Sequence, residues 1–445
     1  MTNKVIIVGA GPCGLLLAHY LLNRSTQYQI NIYERRSDPR LVSLDNSRTI
    51  PYGLSERGLK ALRKIDGLEA AIKAESVKNK GVIVHKENGK TLFLSKRTPT
   101  FNTNRTRLVI TLLETLTKNY ESNQVKINFG CKCTQVDFAA KTLGFEKVRE
   151  ASVEEDREKV NVNYDLLIGT DGAHSVVRKH FLTTESFDFE QKHVRSGYKT
   201  VFIPGSNEKA GIDLQRDCLH VWRPYNGIAF GAVPQLDGTF IGLLFFEPDD
   251  GNVAGISSKE DAIAFFHKYI PEVGQLISES EAEAFLKRPP SPQLKIRCNR
   301  YHYGDSVLIM GDAAHAISSS LGQGCNVAFE DVMLLDSLLD EYSEKWEDAL
   351  AQFTIKRQPD AYALSELDNN VFPSSKALFT EFILRENFAR VMNKLLPNIF
   401  KPSLRDLIAD STIPFADILK SYQSWISRVK DSNDRLIRKK HVKIN

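Results

Sequence analysis

A glycine-rich turn near the start of the chain constrains the fold more than any other feature. This turn, Gly9–Gly14, follows the β-branched run Lys4–Val8 and precedes Leu15–Asn23, which has the pattern of a helix. A second run with strand character, Ile30–Tyr33, comes next. The pattern predicts a β-α-β unit, and a helical crossover places the two strands parallel to each other.

The glycine spacing indicates a dinucleotide site. Gly9 permits a tight turn, Gly11 lets the backbone approach a pyrophosphate, and Gly14 lets the helix pack on the strand. Phosphates are attracted to the helix N-terminus because its first N–H groups lack partners. Glu34, at the end of the second strand, is placed to accept a hydrogen bond from a ribose 2′-hydroxyl. A carboxylate there repels a 2′-phosphate, so the site suits FAD or NAD rather than NADP.

Two later strand–turn–helix motifs favour FAD over NAD. The stretch Asp165–Arg178 carries the turn Asp171-Gly172, and Val307–His315 carries Gly311-Asp312 and runs into Leu321–Asn326. An aspartate after a strand can hold a ribityl hydroxyl, and a glycine-rich helix start offers N–H groups to an anion. A helix N-terminus beside a reduced flavin would stabilise its negative charge by about 0.3–2 kcal/mol.

Together these motifs resemble those of the single-component FAD-dependent aromatic hydroxylases, the group A flavoprotein monooxygenases. The stretches Arg48–Leu59, Gly197-Tyr198, Leu219–Trp222 and Gly311–Asp331 are most similar to the kynurenine 3-monooxygenase branch. The resemblance runs from Lys4 to about Leu367. It implies an α/β fold with a Rossmann-like FAD-binding domain, built on a parallel sheet as in p-hydroxybenzoate hydroxylase (the GR2 type).

We expect the domains to be interleaved along the chain. Short alternating runs from about 190 to 250 predict an antiparallel sheet, and the chain from about 327 onward has a helical pattern. The expected FAD-binding domain comprises 1–78, 101–185 and 296–360. The expected substrate domain comprises the strands of 79–100 and the antiparallel sheet of 186–295, and 361–445 forms a C-terminal helical region.

The resemblance also implies roles for individual residues. It places the FAD pyrophosphate on the first glycine turn, the adenosine ribose on Glu34, and the backbone of Cys133 beside the adenine. Arg48 and Arg105 would contact FAD, Asp312 would bind its ribityl–pyrophosphate region, and Cys325 and Asn326 would face the isoalloxazine with their backbone. The predicted cofactor-binding residues are Gly9, Gly11, Pro12, Cys13, Gly14, Glu34, Arg35, Arg48, Arg105, Cys133, Asp171, Gly311, Asp312, Gly322, Gly324, Cys325 and Asn326. The predicted substrate-binding residues are Tyr198, His220, Trp222, Phe230, Phe245 and Ser319.

The activity implied by the resemblance is FAD-dependent monooxygenation. Transiently bound NAD(P)H would reduce a tightly bound FAD, O2 would add at C4a, and the hydroperoxide would transfer its distal oxygen to an aromatic or other electron-rich small molecule. Because the flavin carries this chemistry, no catalytic side chain is predicted, and we expect His315 to pack at the Gly-Asp turn. Two alternatives remain open: a flavin-dependent reductase or dehydrogenase of a lipid or isoprenoid, and a non-catalytic FAD-binding protein.

Four positions depart from the pattern of the branch. Val82 stands where the branch has its substrate-carboxylate arginine, Lys96 lies near the position of the partner tyrosine, and Val371 lies at that of an asparagine. Ser319 stands where the branch has a proline on the re-face loop. Without the arginine, an α-amino-acid carboxylate loses a bidentate clamp. We therefore expect a different, less acidic aromatic or polyketide-like substrate.

Composition excludes several other classes of protein. The 59 Lys+Arg against 55 Asp+Glu give a net charge of +4 over 445 residues, which indicates no nucleic-acid partner. The 6 cysteines are scattered, with neither a disulfide framework nor a metal-ligand cluster. No apolar run reaches the roughly 18–20 residues of a membrane span, and we interpret the basic segment Asp434–Asn445 as a solvated helix end rather than a membrane contact. These features predict a cytoplasmic enzyme whose partners are a small-molecule substrate and O2.

Overall fold

The computed structural model describes residues 3–42, 49–86, 88–147, 158–225, 227–247 and 250–442. A mostly parallel sheet, a mostly antiparallel sheet and a layer of C-terminal helices make up an α/β architecture, which confirms the predicted fold class. Elements from distant parts of the chain join in the same sheets. The bounds of the domains stay a prediction.

A six-stranded sheet carries the first glycine turn. The first two strands pair in parallel from Asn3↔Tyr28 to Val8↔Tyr33, as the β-α-β pattern predicts. Val5, Ile6 and Ile7 are fully buried because helices cover this parallel sheet. In spatial order the strands are β19 (His302–Tyr303), β20 (Val307–Ile309), β10 (Leu166–Gly169), β1 (Asn3–Val8), β2 (Tyr28–Tyr33) and β6 (Val125–Asn128). The helices associated with this sheet are α1 (Pro12–Arg24), α4 (Arg105–Asn119), α5 (Val176–His180), α10 (Asp312–His315) and α11 (Gly324–Glu341).

A seven-stranded sheet forms the second layer. All neighbouring strands in it are antiparallel except the pair in which Cys218 lies opposite Gly81. The four strands predicted between about 190 and 250 are joined by three strands from the N-terminal half. In spatial order the strands are β12 (Gly197–Pro204), β17 (Thr239–Phe246), β16 (Ile228–Pro234), β15 (Cys218–Tyr225), β4 (Val77–His85), β5 (Thr91–Asn104) and β3 (Pro51–Leu54).

The remaining strands form three smaller sheets. Cys131 and Cys133 are both buried on one side of a strand in the first of these sheets, as the two-residue spacing predicts. The strands are β7 (Cys131–Asp137), β8 (Thr142–Lys147) and β9 (Lys159–Asn163), then β11 (Phe189–His193) with β18 (Leu294–Cys298), and β13 (Ser206–Asn207) with β14 (Ile212–Asp213).

The sequence of 58–73 has a helical pattern, and the structure confirms helices in it with a turn between them. Two short helices occupy the segment, α2 (Glu56–Leu62) and α3 (Leu68–Ala74). Gly67 caps the second of them in the left-handed region, at φ +71°, which a continuous right-handed helix cannot contain.

Helices cover one face of the seven-stranded sheet and continue into the C-terminal layer. Phe230 and Phe240 of the sheet pack against Phe266 and Phe285 in one apolar core. The helices beside this face are α6 (Gly251–Ala254), α7 (Lys259–Tyr269), α8 (Pro271–Leu276) and α9 (Glu279–Lys287). The C-terminal helices are α12 (Trp346–Asn370), α13 (Lys376–Leu395), α14 (Leu404–Asp410), α15 (Phe415–Ser421) and α16 (Gln423–Val442).

The C-terminal helices pack around a core of their own. Leu367, Phe382, Leu407 and Phe415 are among its buried members, and α14 also packs against β5. None of the helices within the described ranges combines the length and apolar character that crossing a membrane requires.

Candidate functional site

The three glycines of the first turn have different surroundings. A Cβ on Gly9, which has φ +107°, would lie 2.6 Å from the Thr170 carbonyl oxygen, and a Cβ on Gly14 would lie 2.3 Å from the Gly9 carbonyl oxygen. Both glycines are therefore required by the close packing of the turn. A Cβ on Gly11 would meet no atom within 4 Å. Gly11 thus faces open space at the start of a helix, where a ligand can approach the backbone.

The N-terminus of α1 offers unpaired backbone donors at this open space. Gly11 is the N-cap residue and no side chain caps the helix, so first-turn N–H groups have no partner within the helix. Cys13 is buried, and its thiol lies 3.6 Å from the Ala328 carbonyl oxygen on α11. Its side chain thus packs between helices, while its backbone N–H remains among the unpaired donors at the N-terminus of α1.

Glu34 lies directly beside the first turn. Its Oε2 accepts a hydrogen bond from the Ala10 N–H at 3.0 Å, and its Oε1 accepts one from the Arg36 N–H at 2.9 Å. The carboxylate is held at the end of β2, where an adenosine ribose would extend from the turn. Arg35 is exposed on the adjacent loop. Arg48 lies outside the described residues.

A second group of polar side chains converges where the edges of the seven-stranded sheet approach each other. Tyr52 on β3 and Tyr198 on β12 come from opposite edge strands, yet both lie close enough to Arg105 and Asp312 to be affected by them: burial raises the pKa of both phenols, Asp312 raises it further and Arg105 lowers it. A flat sheet of seven strands would hold its edges about 29 Å apart. The sheet therefore curls, and its concave face leads to this group. Open space adjoins the group, since Asp312 is exposed and a Cβ on Gly324 would meet only Asp312 Oδ1, at 4.0 Å; we call this space the cleft.

Arg105 and Asp312 lack partners within this cleft. Neither side chain makes a hydrogen bond or ion pair with the residues that the structure describes. Asp312 is exposed to water on one side, and protein atoms crowd around the rest of it. This partial desolvation raises the pKa of its carboxyl, against the opposing effects of His315 and Arg105. Burial likewise raises the pKa of the Cys325 thiol, and Asp312 adds to this effect. A cation and a carboxylate left unpaired in a cleft fit a polar ligand that contacts both.

The N-terminus of α11 closes the same region. Gln323 is the N-cap residue, no side chain caps the helix, and Gly322 before it has φ +63°. Gln323 Oε1 is buried without a partner. First-turn N–H groups of this helix can therefore face an anion, as the glycine-rich start at Gly324 predicts.

Asn326 has a structural function that the sequence analysis missed. Its Oδ1 accepts a hydrogen bond from the Ser55 N–H at 3.0 Å, and its Nδ2 donates to the Gly53 carbonyl at 3.0 Å. A Cβ on Gly58 would lie 2.4 Å from Asn326 Oδ1. Asn326 thus joins β3 and α2 to α11 through its side chain, and only its backbone is free to face a cofactor.

A buried network positions the Gly311-Asp312 turn. Asp331, which is fully buried, accepts hydrogen bonds from the Gly311 N–H at 2.8 Å and from Arg357 Nε at 2.5 Å, and its Oδ2 lies 2.7 Å from His315 Nε2. Burial alone would raise the pKa of Asp331, but His315 and Arg357 lower it. His315 therefore packs at the turn and holds it, as expected. Sequence patterns gave no signal for Arg357, which comes from α12.

The Asp171-Gly172 turn is held in a similar way. Asp171 Oδ2 accepts a hydrogen bond from the Val176 N–H at 2.6 Å, while its Oδ1 is buried without a partner. Burial raises the pKa of this carboxyl. Arg178, also buried, donates to the Ala173 carbonyl at 2.6 Å and to the Ala313 carbonyl at 2.8 Å. The turn is thus fastened to α10, and Asp171 keeps one free acceptor.

The predicted substrate residues fall into two groups. Tyr198 and Phe245 lie opposite each other on the concave face, with ring centroids 5.8 Å apart, and Tyr198 reaches the Arg105 group. Trp222 and Phe230 pack in the core against α7–α9, on the other face. His220 also lies on that face, buried, with its Nδ1 2.8 Å from His85 Nε2. His220, Trp222 and Phe230 thus lie on the face opposite that of Tyr198, because side chains alternate along a strand, and a substrate contact of these three residues stays a prediction.

Ser319 lies on an exposed 3-10 turn before α11. Its N–H and its hydroxyl both donate to Gln293 Oε1, at 2.9 and 2.8 Å. Cys133 is buried in β7, and burial together with the nearby Asp171 carboxylate raises the pKa of its thiol, so the predicted adenine position lies near the Asp171-Gly172 turn. A substrate contact of Ser319 and an adenine contact of Cys133 stay predictions.

Comparisons with known proteins agree with this geometry. The FAD binding domain family matches residues 2–367. Kynurenine 3-monooxygenase from Sus scrofa is 30% identical over 436 residues, which cover 96% of this chain and 88% of that protein. The Drosophila willistoni enzyme of the same name is 32% identical over 431 residues, with 95% and 90% covered. A solved structure of 2-methyl-3-hydroxypyridine-5-carboxylic acid oxygenase has the same fold, with a TM-score of 0.67 at 18% identity over 82% of this chain and 90% of that chain.

Proposed function

This chain belongs to the FAD binding domain family of group A flavoprotein monooxygenases, in the branch of the kynurenine 3-monooxygenases, and on that premise we propose that it inserts one oxygen atom of O2 into an aromatic small molecule. It is a flavin-dependent monooxygenase, and FAD and a nicotinamide cofactor are the cofactors that its family membership implies. We further propose that NAD(P)H would reduce the bound FAD and that the flavin would activate O2 at its C4a.

The observation that carries the proposal is the unpaired Arg105 and Asp312 in one cleft. Both side chains lie near the N-terminus of α11. The six-stranded sheet that carries the Gly311-Asp312 turn also carries Gly11, which faces open space. An extended dinucleotide has its pyrophosphate and ribityl groups between its two ring systems, so it requires polar contacts at both places. The residues present therefore fit FAD.

Each part of the site would hold one part of the cofactor. The first turn of α1 would bind the pyrophosphate, Glu34 the adenosine ribose, and Asp312 with Arg105 the ribityl–pyrophosphate region. FAD, when bound, supplies the redox and oxygen chemistry. The backbone N–H groups at Gly324 and Cys325 would stabilise negative charge on the reduced ring.

The concave face of the sheet would form the substrate chamber. Tyr198 and Phe245 provide aromatic surface beside Arg105 and Tyr52. Apolar walls keep water from the reacting atoms, and this protects an oxygenating intermediate from decay to hydrogen peroxide. The chain itself would bind and orient the substrate and would exclude water from the reacting atoms.

Assays of the purified holoprotein test the proposal. Protein reconstituted with FAD is supplied with NADPH or NADH under ¹⁸O2 together with a panel of aromatic amines and phenols. We expect a substrate to stimulate nicotinamide oxidation and O2 uptake with little peroxide, and the product to carry one ¹⁸O atom. The Asp312→Ala variant, prepared in parallel, should be flavin-poor and inactive.

Two outcomes would contradict the proposal. Reduction of a lipid or isoprenoid without oxygen incorporation would identify a reductase or dehydrogenase. A flavin that stays oxidised with both nicotinamides and every candidate ligand would identify a non-catalytic FAD-binding protein.

A further inference from the structure

The loop between α10 and α11 joins two parts of the cleft. This segment, residues 316–323, follows the helix of Asp312 and ends at Gln323, the N-cap residue of α11. The first residue of α11, Gly324, lies close to Asp312, since a Cβ on it would be 4.0 Å from Asp312 Oδ1. The conformation of the 316–323 loop therefore determines how the first N–H groups of α11 are oriented at the cleft.

Side chains hold the peptide groups at the centre of this loop. The Ser318 N–H donates to Asp368 Oδ2 at 3.3 Å, and the Ser319 N–H donates to Gln293 Oε1 at 2.9 Å. The Ser320 N–H donates to Ser318 Oγ at 3.4 Å. Asp368 belongs to α12 and Gln293 lies directly before β18. The loop is therefore fastened to two other elements of the fold.

Asp368 is the main fastening point. Its side chain is fully buried, and the Ser318 hydroxyl lies 2.8 Å from both of its carboxylate oxygens. The Ser320 hydroxyl donates to Oδ1 as well, and the Lys295 ammonium pairs with Oδ2 at 2.6 Å. Since Lys295 lies on β18, this one carboxylate joins the loop to α12 and to a strand.

The buried carboxylate has an energetic cost that its partners offset. Asp368 lies in the last turn of α12, where the helix dipole disfavours a negative charge. Burial of a carboxylate is also unfavourable unless hydrogen bonds and an opposite charge compensate for it. Lys295, which is 13% exposed, supplies that charge and also donates to Asn369 Oδ1. An apolar side chain would avoid both costs, so Asp368 contributes the geometry of the loop rather than net stability.

Gln293 extends the connection to the concave face of the seven-stranded sheet. Its Oε1 accepts a hydrogen bond from the Ser319 hydroxyl at 2.8 Å, besides that from the Ser319 N–H, and its Nε2 donates to the Ser196 carbonyl at 3.1 Å. Ser196 directly precedes β12, which carries Tyr198. The loop is thus tied to the strand that supplies aromatic surface to the cleft.

We propose that Asp368 is a positioning residue, which holds the 316–323 loop so that the first N–H groups of α11 face the ring of a reduced flavin. The inference rests on the proposed function and identifies what orients the helix that would stabilise the reduced cofactor. Asp368 acts through Ser318 and Ser320 and does not itself touch the cofactor. A helix N-terminus that is displaced loses its effect on a neighbouring negative charge, because the effect is confined to the first turn.

The variant Asp368→Asn tests this role with two measurements. Asparagine has a similar volume, but it has one acceptor oxygen instead of two and no charge for Lys295. In the flavin-free protein, hydrogen exchange across residues 316–323 should become at least about tenfold faster, because the bonds that protect the serine N–H groups are weakened. In anaerobic titrations, the ratio of Kd for reduced FAD to Kd for oxidised FAD should rise by about 2- to 30-fold, the effect of a helix N-terminus on a nearby anion.

A second variant changes the loop instead of α12. The double substitution of Ser318→Ala and Ser320→Ala removes the hydroxyl donors and leaves Asp368 paired with Lys295. Faster exchange of the loop and a higher Kd ratio should again appear together. If Asp368→Asn does not fold, this variant decides the question by the same two measurements.

The matched control is Glu366→Gln. Glu366 also lies near the end of α12, and its charged partners are Lys430, at 2.7 Å, and Arg297, at 3.7 Å, both outside the loop. Exchange across residues 316–323 and the Kd ratio should both stay at their wild-type values in this control.

Three results would overturn the proposal. The first is unchanged exchange of the loop in the variants, which would show that Asp368 does not hold it. The second is faster exchange with an unaltered Kd ratio, which would leave Asp368 a purely structural residue. The third is an equal effect of Glu366→Gln on both measurements.

Failure of this inference and failure of the proposed function give different results. A protein that oxygenates an aromatic substrate, and whose Asp368 variant keeps the wild-type Kd ratio, would retain the monooxygenase function and refute the positioning role. A protein that shows the expected change of Kd ratio but incorporates no ¹⁸O would refute the monooxygenase function alone.

Discussion

The imidazole of His315 lies against the carboxylate of Asp331, with Nε2 2.7 Å from Oδ2, and this contact secures the turn that presents Asp312 to the cleft. Asp331 also receives the Gly311 N–H and the Arg357 guanidinium. Because Gly311 and His315 belong to the turn and to α10, while Asp331 lies on α11 and Arg357 on α12, one buried carboxylate joins the turn to two longer helices. The position of Asp312 therefore depends on residues that never touch the cofactor.

Replacing Asp331 should loosen this turn. Asp331→Asn leaves Arg357 buried with reduced charge compensation, and we expect the free energy of unfolding to fall by about 3–5 kcal/mol, the usual cost of breaking a buried pair. The Kd for FAD should rise at the same time. Urea unfolding and fluorescence titration with FAD measure the two effects. Asp305→Asn is the control, since the Asp305 side chain is 62% exposed and lies 3.5 Å from Lys141, and an equal loss in this control would contradict the argument.

Two glycines of the first turn should respond in opposite ways to the same substitution. Gly11→Ala places a methyl group in open space at φ −76°, so stability of the flavin-free protein should not change, while the affinity for FAD should fall about 10- to 100-fold. Gly14→Ala drives a methyl group into the Gly9 carbonyl and should lower the free energy of unfolding by about 1–3 kcal/mol. Thermal unfolding and FAD titration of both variants distinguish these results. A Gly11→Ala variant with native FAD affinity would refute the pyrophosphate position.

The unpaired charges of the cleft should matter for the cofactor and not for the fold. Asp312→Ala and Arg105→Met each remove a group that no described residue contacts by a hydrogen bond, so the flavin-free protein should be as stable as the wild type. Each variant should bind FAD at least about tenfold more weakly and should be purified with little yellow colour. Absorbance between 350 and 500 nm, relative to that at 280 nm, gives the flavin content. Full FAD occupancy in Asp312→Ala would refute the assignment of the site.

Acid should destabilise the protein partly through His220. Burial lowers the pKa of His220 to about 4, although the Gln215 carbonyl opposes this effect. An unfolded histidine titrates near 6.5, so between pH about 6.5 and about 4 the unfolded state binds the extra proton. Stability is therefore complete above this window and falls as the pH drops through it, by up to about 1.4 kcal/mol per pH unit for this group.

The variant His220→Gln tests this assignment. The slope of unfolding free energy against pH should become shallower in this window, whereas His193→Gln, at an exposed position, should leave it unchanged. Urea unfolding at a series of pH values provides both slopes. An unaltered slope in His220→Gln would contradict a buried neutral imidazole.

Local pattern was sufficient for the parts of the fold that are built from neighbouring residues. The first β-α-β unit, the strands after about 190 and the C-terminal helices are where periodicity and turn residues predict them. The glycine turn, Glu34 and Asp312 were found for the same reason, since each is defined by its place at a strand end. The helical pattern of 58–73 does not show the break that Gly67 imposes between α2 and α3, because the apolar period continues through it.

Contacts between distant segments of the chain determined the other features of the fold and of the site. Trp222 and Phe230 lie opposite each other on neighbouring strands and therefore share a face. Alternation along each strand does not show which of the two faces meets the cleft, because both faces of this sheet are covered. Asp331 meets Arg357 only because α12 returns to the Gly311-Asp312 turn. The sequence by itself determined the cofactor turn, because its chemistry lies within a few bonded residues. The tertiary structure alone determined the buried charges around Asp331, because electrostatic interactions depend on distance in space and not on separation along the chain.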